Sequence, residues 1–360
     1  MPTLPFVRHT APVAVLLLTL YAGLSRAEPY LSVRTGNECN VCHVNPTGGG
    51  MRTAFGSAYG ASVLSVRPLT EKAVEPDFAV FDGLRLGGNA RYSARQFDVD
   101  NVDSNLEFTT DAVTLYGRLQ LNQYLALYVD QQVAPGGSIN RESWVKIQRK
   151  DWYLKGGKIF LPFGWRLQDD TAFVRQASGV TFSTPDNGVE LGYDTHHIQA
   201  QLSVTNGSGG GGEVDDGKWV MFRGNWLDGW GQLGVSAGYN DTDLVDRKLI
   251  GIFAGLNTGP VTWLLEYDQI EDDDRLASDT EMDIALLEAN WLVVKGQNLK
   301  LSLEHQSFSG EDRDRKRASF VWEYFPWSHT QLRAAVRLRD SDDPLYPDGE
   351  EYFLQAHVYF

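Results

Sequence analysis

The sequence predicts an all-β protein, a transmembrane antiparallel β-barrel of about 16 strands behind a small N-terminal segment. Three observations lead there. From Leu84 to Phe360 apolar and polar residues alternate in repeated segments, the period-two signature of strands with one apolar face. Those segments are each about ten residues long, the length of a tilted strand that crosses a bilayer. Their connections alternate between short turns and longer polar loops, as an even-stranded barrel requires of its two ends. No later apolar run approaches the roughly 18 residues of a membrane-spanning helix.

Composition agrees with a large folded chain. Its 360 residues include 17 Phe, 15 Tyr and 10 Trp, far more burial than a solvated tail supplies. A net charge of -15 gives no basic footprint for nucleic acid and favours cations or basic partners instead.

Residues 1–27 read as a cleaved signal peptide. Arg8 and His9 precede the apolar stretch Ala11 to Leu24, and the small residues Ser25 and Ala27 make a cut site. The competing reading is an uncleaved anchor, but the stretch is short of the ~20 residues that span a bilayer, and Pro29 follows at once.

Residues 28–80 contain both cysteines of the chain, in Cys39-Asn40-Val41-Cys42-His43. This C-x-x-C-H pattern is that of covalent c-type haem attachment. Two thiols at this spacing bond the two vinyl groups of one porphyrin, while the adjacent imidazole of His43 reaches the iron. A redox disulfide and half of a zinc site compete with it. Zinc needs four ligands and no second cysteine pair exists; a redox disulfide normally accompanies a thioredoxin-like alternation of strands and helices, absent here. The second axial position is open between Met51, reached across Pro46 and Gly48-Gly49-Gly50, and a bis-His arrangement with His196, His197 or His357. Arg34 and Arg52 flank the motif, where guanidinium forks match haem propionates or are simply solvated.

Residues 81–360 form the barrel. Strands are expected at 84–97, 110–121, 124–134, 142–150, 152–163, 188–195, 197–206, 218–227, 230–240, 248–257, 260–270, 281–294, 298–309, 317–327, 330–340 and 350–360. Polar loops occupy 98–109, 135–141, 164–187, 207–217, 241–247, 271–280, 310–316 and 341–349. With short turns in the periplasm, both ends of the barrel lie there, beside the haem motif. Tyr352, Leu354, Ala356, Val358 and Phe360 alternate up to a terminal aromatic, a common ending among bacterial outer-membrane proteins. Trp144, Trp152, Trp226, Trp230, Trp263, Trp291 and Trp327 are candidates for interfacial girdles.

The inward positions of the first and penultimate strands carry Arg85, Arg91, Arg95, Arg333, Arg337 and Arg339, a basic stripe once the barrel closes. The loops are acidic, as at Glu271-Asp272-Asp273-Asp274. They are either solvated surface or a trap for hard cations. Sixteen or so strands enclose a lumen wide enough for water or a plug. Residues 28–80 are the plug candidate, and 164–187 is long enough to fold inward as a constriction.

The stretch from Glu28 to His43 followed by a barrel resembles the fused monohaem cytochrome-porins of the outer membrane, among them the iron oxidases of Fe(II)-oxidising bacteria. Pro29, Arg34, Thr35, Gly36, Cys39, Cys42 and His43 carry the match. The resemblance implies one covalent haem c, with Cys39 and Cys42 as thioether sites and His43 as proximal ligand. It also implies Fe(II):cytochrome c oxidoreductase activity, although Thr47 to Gly56 departs from the iron-oxidase pattern.

The expected function is one-electron transfer at the bacterial outer membrane, with both termini in the periplasm and a periplasmic carrier such as a soluble cytochrome c as partner. One haem does not reach across an apolar band ~25 Å tall, so a donor enters the lumen or a further carrier shares it. The runner-up is a porin or anion-selective channel whose haem is structural or redox-sensing. A barrel sheath around a separate multihaem cytochrome would need more strands. No hydrolase triad, phosphate loop or carboxylate dyad stands out.

Overall fold

Alternation along the chain becomes a closed wall. The computed structural model describes residues 28–68, 79–99, 102–213, 215–310, 313–343 and 346–360; the expected signal peptide, 1–27, lies outside them, as do residues 69–78 of the haem-binding segment. A short lead-in strand, β1 (Ala79–Phe81), pairs only with the start of β2 (Leu84–Val99). The first half of the wall continues with β3 (Val102–Gln120), β4 (Leu125–Ala134), β5 (Ile139–Arg149), β6 (Trp152–Ile159), β7 (Asp186–Asp194), β8 (Ile198–Thr205) and β9 (Trp219–Asp228). The second half comprises β10 (Gly231–Asp241), β11 (Val245–Thr258), β12 (Val261–Asp274), β13 (Thr280–Val294), β14 (Gln297–Phe308), β15 (Asp314–Tyr324), β16 (Thr330–Ser341) and β17 (Gly349–Tyr359). Each strand pairs antiparallel with the next, and β17 returns to β2 from Gly349↔Val99 to Tyr359↔Asn89. The result is a closed 16-stranded transmembrane barrel.

Burial is inverted relative to a water-soluble core. Leu86 and Ile250 on the outward face are 44% and 64% exposed, whereas Glu142 and Lys155 on the inward face are fully buried. That is the arrangement of a wall whose apolar face meets lipid.

The strands match expectation one for one, with corrections at their ends. β2 runs to Val99 and β3 starts at Val102, so most of the expected loop 98–109 is strand, and β12 extends to Asp274. Ladder hydrogen bonds need no apolar alternation, and side-chain pairs such as Gln96–Ser104 and Lys248–Asp273 join the polar extensions to their neighbours. β15 ends at Tyr324, short of Pro326, which has no N–H to donate. β6 ends at Ile159 because the chain turns inward, where Phe160 donates its N–H to Glu142.

Two segments fill the lumen. The N-terminal one forms α1 (Pro29–Thr35), α2 (Cys39–Cys42) and α3 (Ala54–Tyr59), which runs into a π-helical turn at Gly60–Leu64. The other is the connection from β6 to β7, which carries α4 (Phe173–Ser178) and packs against the inward faces of β12, β13 and β14. Tyr30 and Val33 of the first, Trp165 and Phe173 of the second, and Phe253 and Ile284 of the wall belong to one buried cluster. Trp165 and Phe253 meet edge-on at 4.9 Å.

The N-terminal segment lies at the short-turn end. Gly36 approaches Gly229 between β9 and β10, Val66 bonds Phe325, and Arg67 bridges Trp327. Trp152, Trp226, Trp230 and Trp291 stand on the outward face at this same end. Trp144 does not join them; it points inward and packs on Tyr128 at 4.9 Å.

Candidate cofactor site

The single helical turn α2 sets Cys39 and Cys42 on one face, as positions three apart on a helix are neighbours. His43 ends the turn, its N–H donating to the Cys39 carbonyl at 2.8 Å. The chain then loops out and returns: Val44 N–H donates to Met51 and Thr53 N–H to Cys42, at 2.9 and 3.0 Å. The barrel wall grips this loop at three points. Asn45 donates to both Glu142 carboxylate oxygens at 2.9 Å, Gln199 donates to the Pro46 carbonyl at 3.0 Å, and the Met51 N–H donates to the Tyr128 hydroxyl at 3.0 Å.

One glycine is dictated by the thiol turn. A Cβ on Gly56 would lie 2.1 Å from the Cys42 carbonyl oxygen, so no side chain fits there.

Between α1, α2, α3 and the inner connection is a cavity. Cys39, Cys42 and His43 line it, and so do three guanidiniums, those of Arg52, Arg166 and Arg223. Leu64, Phe55, Tyr59 and Trp165 supply apolar lining. Both thiols are free. Burial pushes the Cys39 thiol up to about 11 and raises that of Cys42 as well, so at neutral pH both are protonated, unlike the activated thiolate of a redox pair.

The arginines are held by stacking as much as by hydrogen bonds. Arg52 lies 4.0 Å over the Tyr359 ring, Arg166 lies 4.7 Å over Phe160, and Arg223 lies 4.6 Å over Phe253 while donating to the Gly164 carbonyl. Burial pulls Arg166 down to about 9, which leaves it charged at neutral pH. Its Nε and Nη1 are buried and make no hydrogen bond.

Of the residues singled out in the sequence, Cys39, Cys42, His43 and Arg52 meet at the cavity. Arg34 does not: it donates to the Pro260 carbonyl at 3.1 Å and ties α1 to the β11–β12 turn. Met51 is also absent from the lining and packs in a separate buried cluster with Val44, Tyr116, Tyr128, Trp144 and Ile159. His196 and His197 stack on each other at the β7–β8 turn, and His357 pairs with Gln331 at 2.9 Å.

Sequence reasoning missed Arg166, Arg223 and Glu38. Arg223 sits at an inward position of β9, which alternation with Met221 and Asn225 makes legible. Arg166 lies in an irregular segment with no periodicity to read. Glu38 accepts from Asn225 at 3.0 Å, and burial pushes its carboxyl up to about 7.

The expected basic stripe is charge-compensated. Arg337 pairs with Glu351 at 2.9 Å and Asp169 at 2.6 Å, Arg95 with Asp111 at 2.7 Å, and Arg333 with Glu323 at 3.6 Å. Among the described residues no group of three His, Cys, Asp or Glu side chains is arranged to hold a metal ion, the acidic loops included.

No family model and no curated protein matches the sequence. Solved structures match the fold. A loop-deletion form of OmpT, an outer membrane protein of Vibrio cholerae, aligns with TM-score 0.63 at 14% identity over 77% of this chain and 99% of that one. An anion-selective porin from Comamonas acidovorans gives 0.62 at 14%, over 77% and 99%. The outer membrane channel DcaP of Acinetobacter baumannii gives 0.58 at 12%, over 82% and 100%. At these identities the likeness is one of architecture: this chain has a porin-like barrel fold.

Proposed function

We propose that the chain transfers single electrons at the bacterial outer membrane through one covalently held haem c carried in its lumen. The observation that supports this reading is the cavity itself, which gathers two protonated thiols, one imidazole and three guanidiniums inside a porin-like wall. That donor set fits the group. Cys39 and Cys42 would form the thioethers, His43 would be the axial ligand, and Arg52, Arg166 and Arg223 would meet the propionates, for which guanidinium forks are suited. The unfilled hydrogen-bonding capacity of Arg166 is what a carboxylate would take up.

When bound, the haem supplies reversible one-electron chemistry, tuned by axial ligand and burial. The chain's own contribution is exclusion and charge. Trp165 and Leu64 give the site a buried apolar side, and the arginines would oppose the negative charge of the propionates. The short-turn end would face the periplasm, and there Arg34, Arg67 and Lys295 surround the N-terminal segment, a face suited to a soluble cytochrome c or similar carrier with an acidic surface. The electron source would be Fe(II) or another reductant arriving from the acidic-loop end.

The test is stopped-flow spectroscopy on the purified haem-loaded chain in nanodiscs. Fe(II) or another reductant should reduce the haem, and oxidised soluble cytochrome c should then reoxidise it. A haem inert to every reductant and to the carrier would overturn the reading.

A second reading has its own support: the likeness to an anion-selective porin suits an anion-selective channel. Anion conductance unaffected by haem redox state would favour it.

A further inference from the structure

We infer that neither an imidazole nor a thioether of this chain takes the second axial position of the haem, and that this position is an open site for a small exogenous ligand. The inference rests on the haem reading above. Its ground is a placement of every candidate donor. The chain has seven histidines and four methionines, of which His9 and Met1 fall outside the described residues. Of the others, His43 alone lines the cavity.

Each remaining candidate is engaged elsewhere. Met51 is directed into the Tyr116–Tyr128–Trp144 cluster, where its Cγ would touch a Cβ built on Gly87 of the wall at 3.6 Å. Its backbone is pinned there by the Tyr128 hydroxyl and by its own carbonyl, which accepts from Val44. Met221 packs beneath Gly238, and Met282 accepts from Gln306. His196 and His197 occupy a turn, His305 pairs with Asp314 at 3.1 Å at the far end of the barrel, His329 meets the Tyr359 ring at 5.4 Å, and His357 is held by Gln331.

What the cavity offers besides His43 and the thiols is a phenol, Tyr59, two carboxylates engaged by the wall, Glu28 with Lys300 at 3.2 Å and Glu38 with Asn225 at 3.0 Å, and the guanidiniums. Guanidiniums do not ligate iron, but as donors they stabilise negative charge on a bound ligand, and distal polarity and donors decide what a haem binds. The site therefore suits diatomic molecules and small anions that coordinate through one atom. Carbon monoxide and cyanide are the probes.

The test uses the full chain, matured with covalent haem. A pyridine haemochrome spectrum first establishes the haem, so that loss of the haem reading is seen separately. The ferrous protein should be high-spin and bind one carbon monoxide per haem without displacing a protein ligand, and the ferric protein should bind cyanide. Met51→Ala should leave the spectra unchanged, whereas a phenolate-to-iron charge-transfer band lost in Tyr59→Phe would overturn the inference. A low-spin, six-coordinate spectrum in both redox states, or a thioether-to-iron charge-transfer band lost in Met51→Ala, would overturn the inference while leaving covalent haem and electron transfer intact. Absence of covalent haem would overturn both.

Discussion

At the scale of single residues, the site depends on a few contacts that tolerate no replacement. Gly56→Ala places a methyl group inside contact distance of the Cys42 carbonyl. The α2–α3 packing must shift, and haem loading should fall several-fold while the barrel still shows heat-modifiable mobility on a gel. Asn45→Ala removes both 2.9 Å hydrogen bonds to the fully buried Glu142. Leaving a buried carboxylate short of donors costs about 1–3 kcal/mol, readable as a lower denaturant midpoint for the N-terminal segment. That Cys39, Cys42 and His43 lie together was legible from the sequence because they fall within a single helical turn. Met51 was not, because the direction of its side chain is set by Tyr128 and Trp144, residues far away in sequence that only closure of the barrel brings near. Arg34 was misread for the same reason: its partner is the carbonyl of Pro260.

At the scale of elements, the inner connection is a strap fastened by charge. Asp169 reaches Arg337 at 2.6 Å and Arg317 at 3.1 Å. Burial alone would raise this carboxyl, but the two guanidiniums outweigh it and hold it well below the usual range. A carboxyl depressed in the folded state contributes stability that is fully present above its unfolded value of about 3.9 and fades only as pH falls below that toward the folded value. The strap should therefore resist proteolysis unchanged from neutral pH down to about 4. Asp169→Asn removes one partner from a largely buried cluster, a loss of order 3 kcal/mol, and limited proteolysis should then cut between β6 and β7. Intact protection in that variant would show that apolar packing by Trp165 and Phe173 holds the strap alone. The strands themselves were readable from period two and length. Their true ends were not, since hairpins such as β2–β3 extend on backbone hydrogen bonds and polar side-chain pairs that carry no apolar rhythm.

For the whole molecule, the barrel is a wall around a filled lumen. A 16-stranded barrel would otherwise enclose an aqueous passage, but α1, α3 and α4 pack across it with buried cores. Planar-bilayer recordings should therefore show little conductance from the full chain, and a stable open channel after removal of residues 28–67. High conductance from the full chain would favour the channel reading. Glu271, Asp272 and Asp273 at the long-loop end pair with Lys248 and Arg247, whereas Arg34, Arg67 and Lys295 surround the N-terminal segment at the other end. Electron exchange with an acidic carrier should slow as ionic strength rises, since screening shortens to about 8 Å at 0.15 M.

Whether this porin-like barrel carries a covalent haem is tested most directly by haem staining of the chain on a denaturing gel. The chain would be co-expressed with the cytochrome c maturation machinery and recovered from outer membranes. The account predicts one covalent haem per chain, lost on Cys39→Ser with Cys42→Ser although the barrel still folds. A folded, membrane-inserted barrel without covalent haem would contradict it.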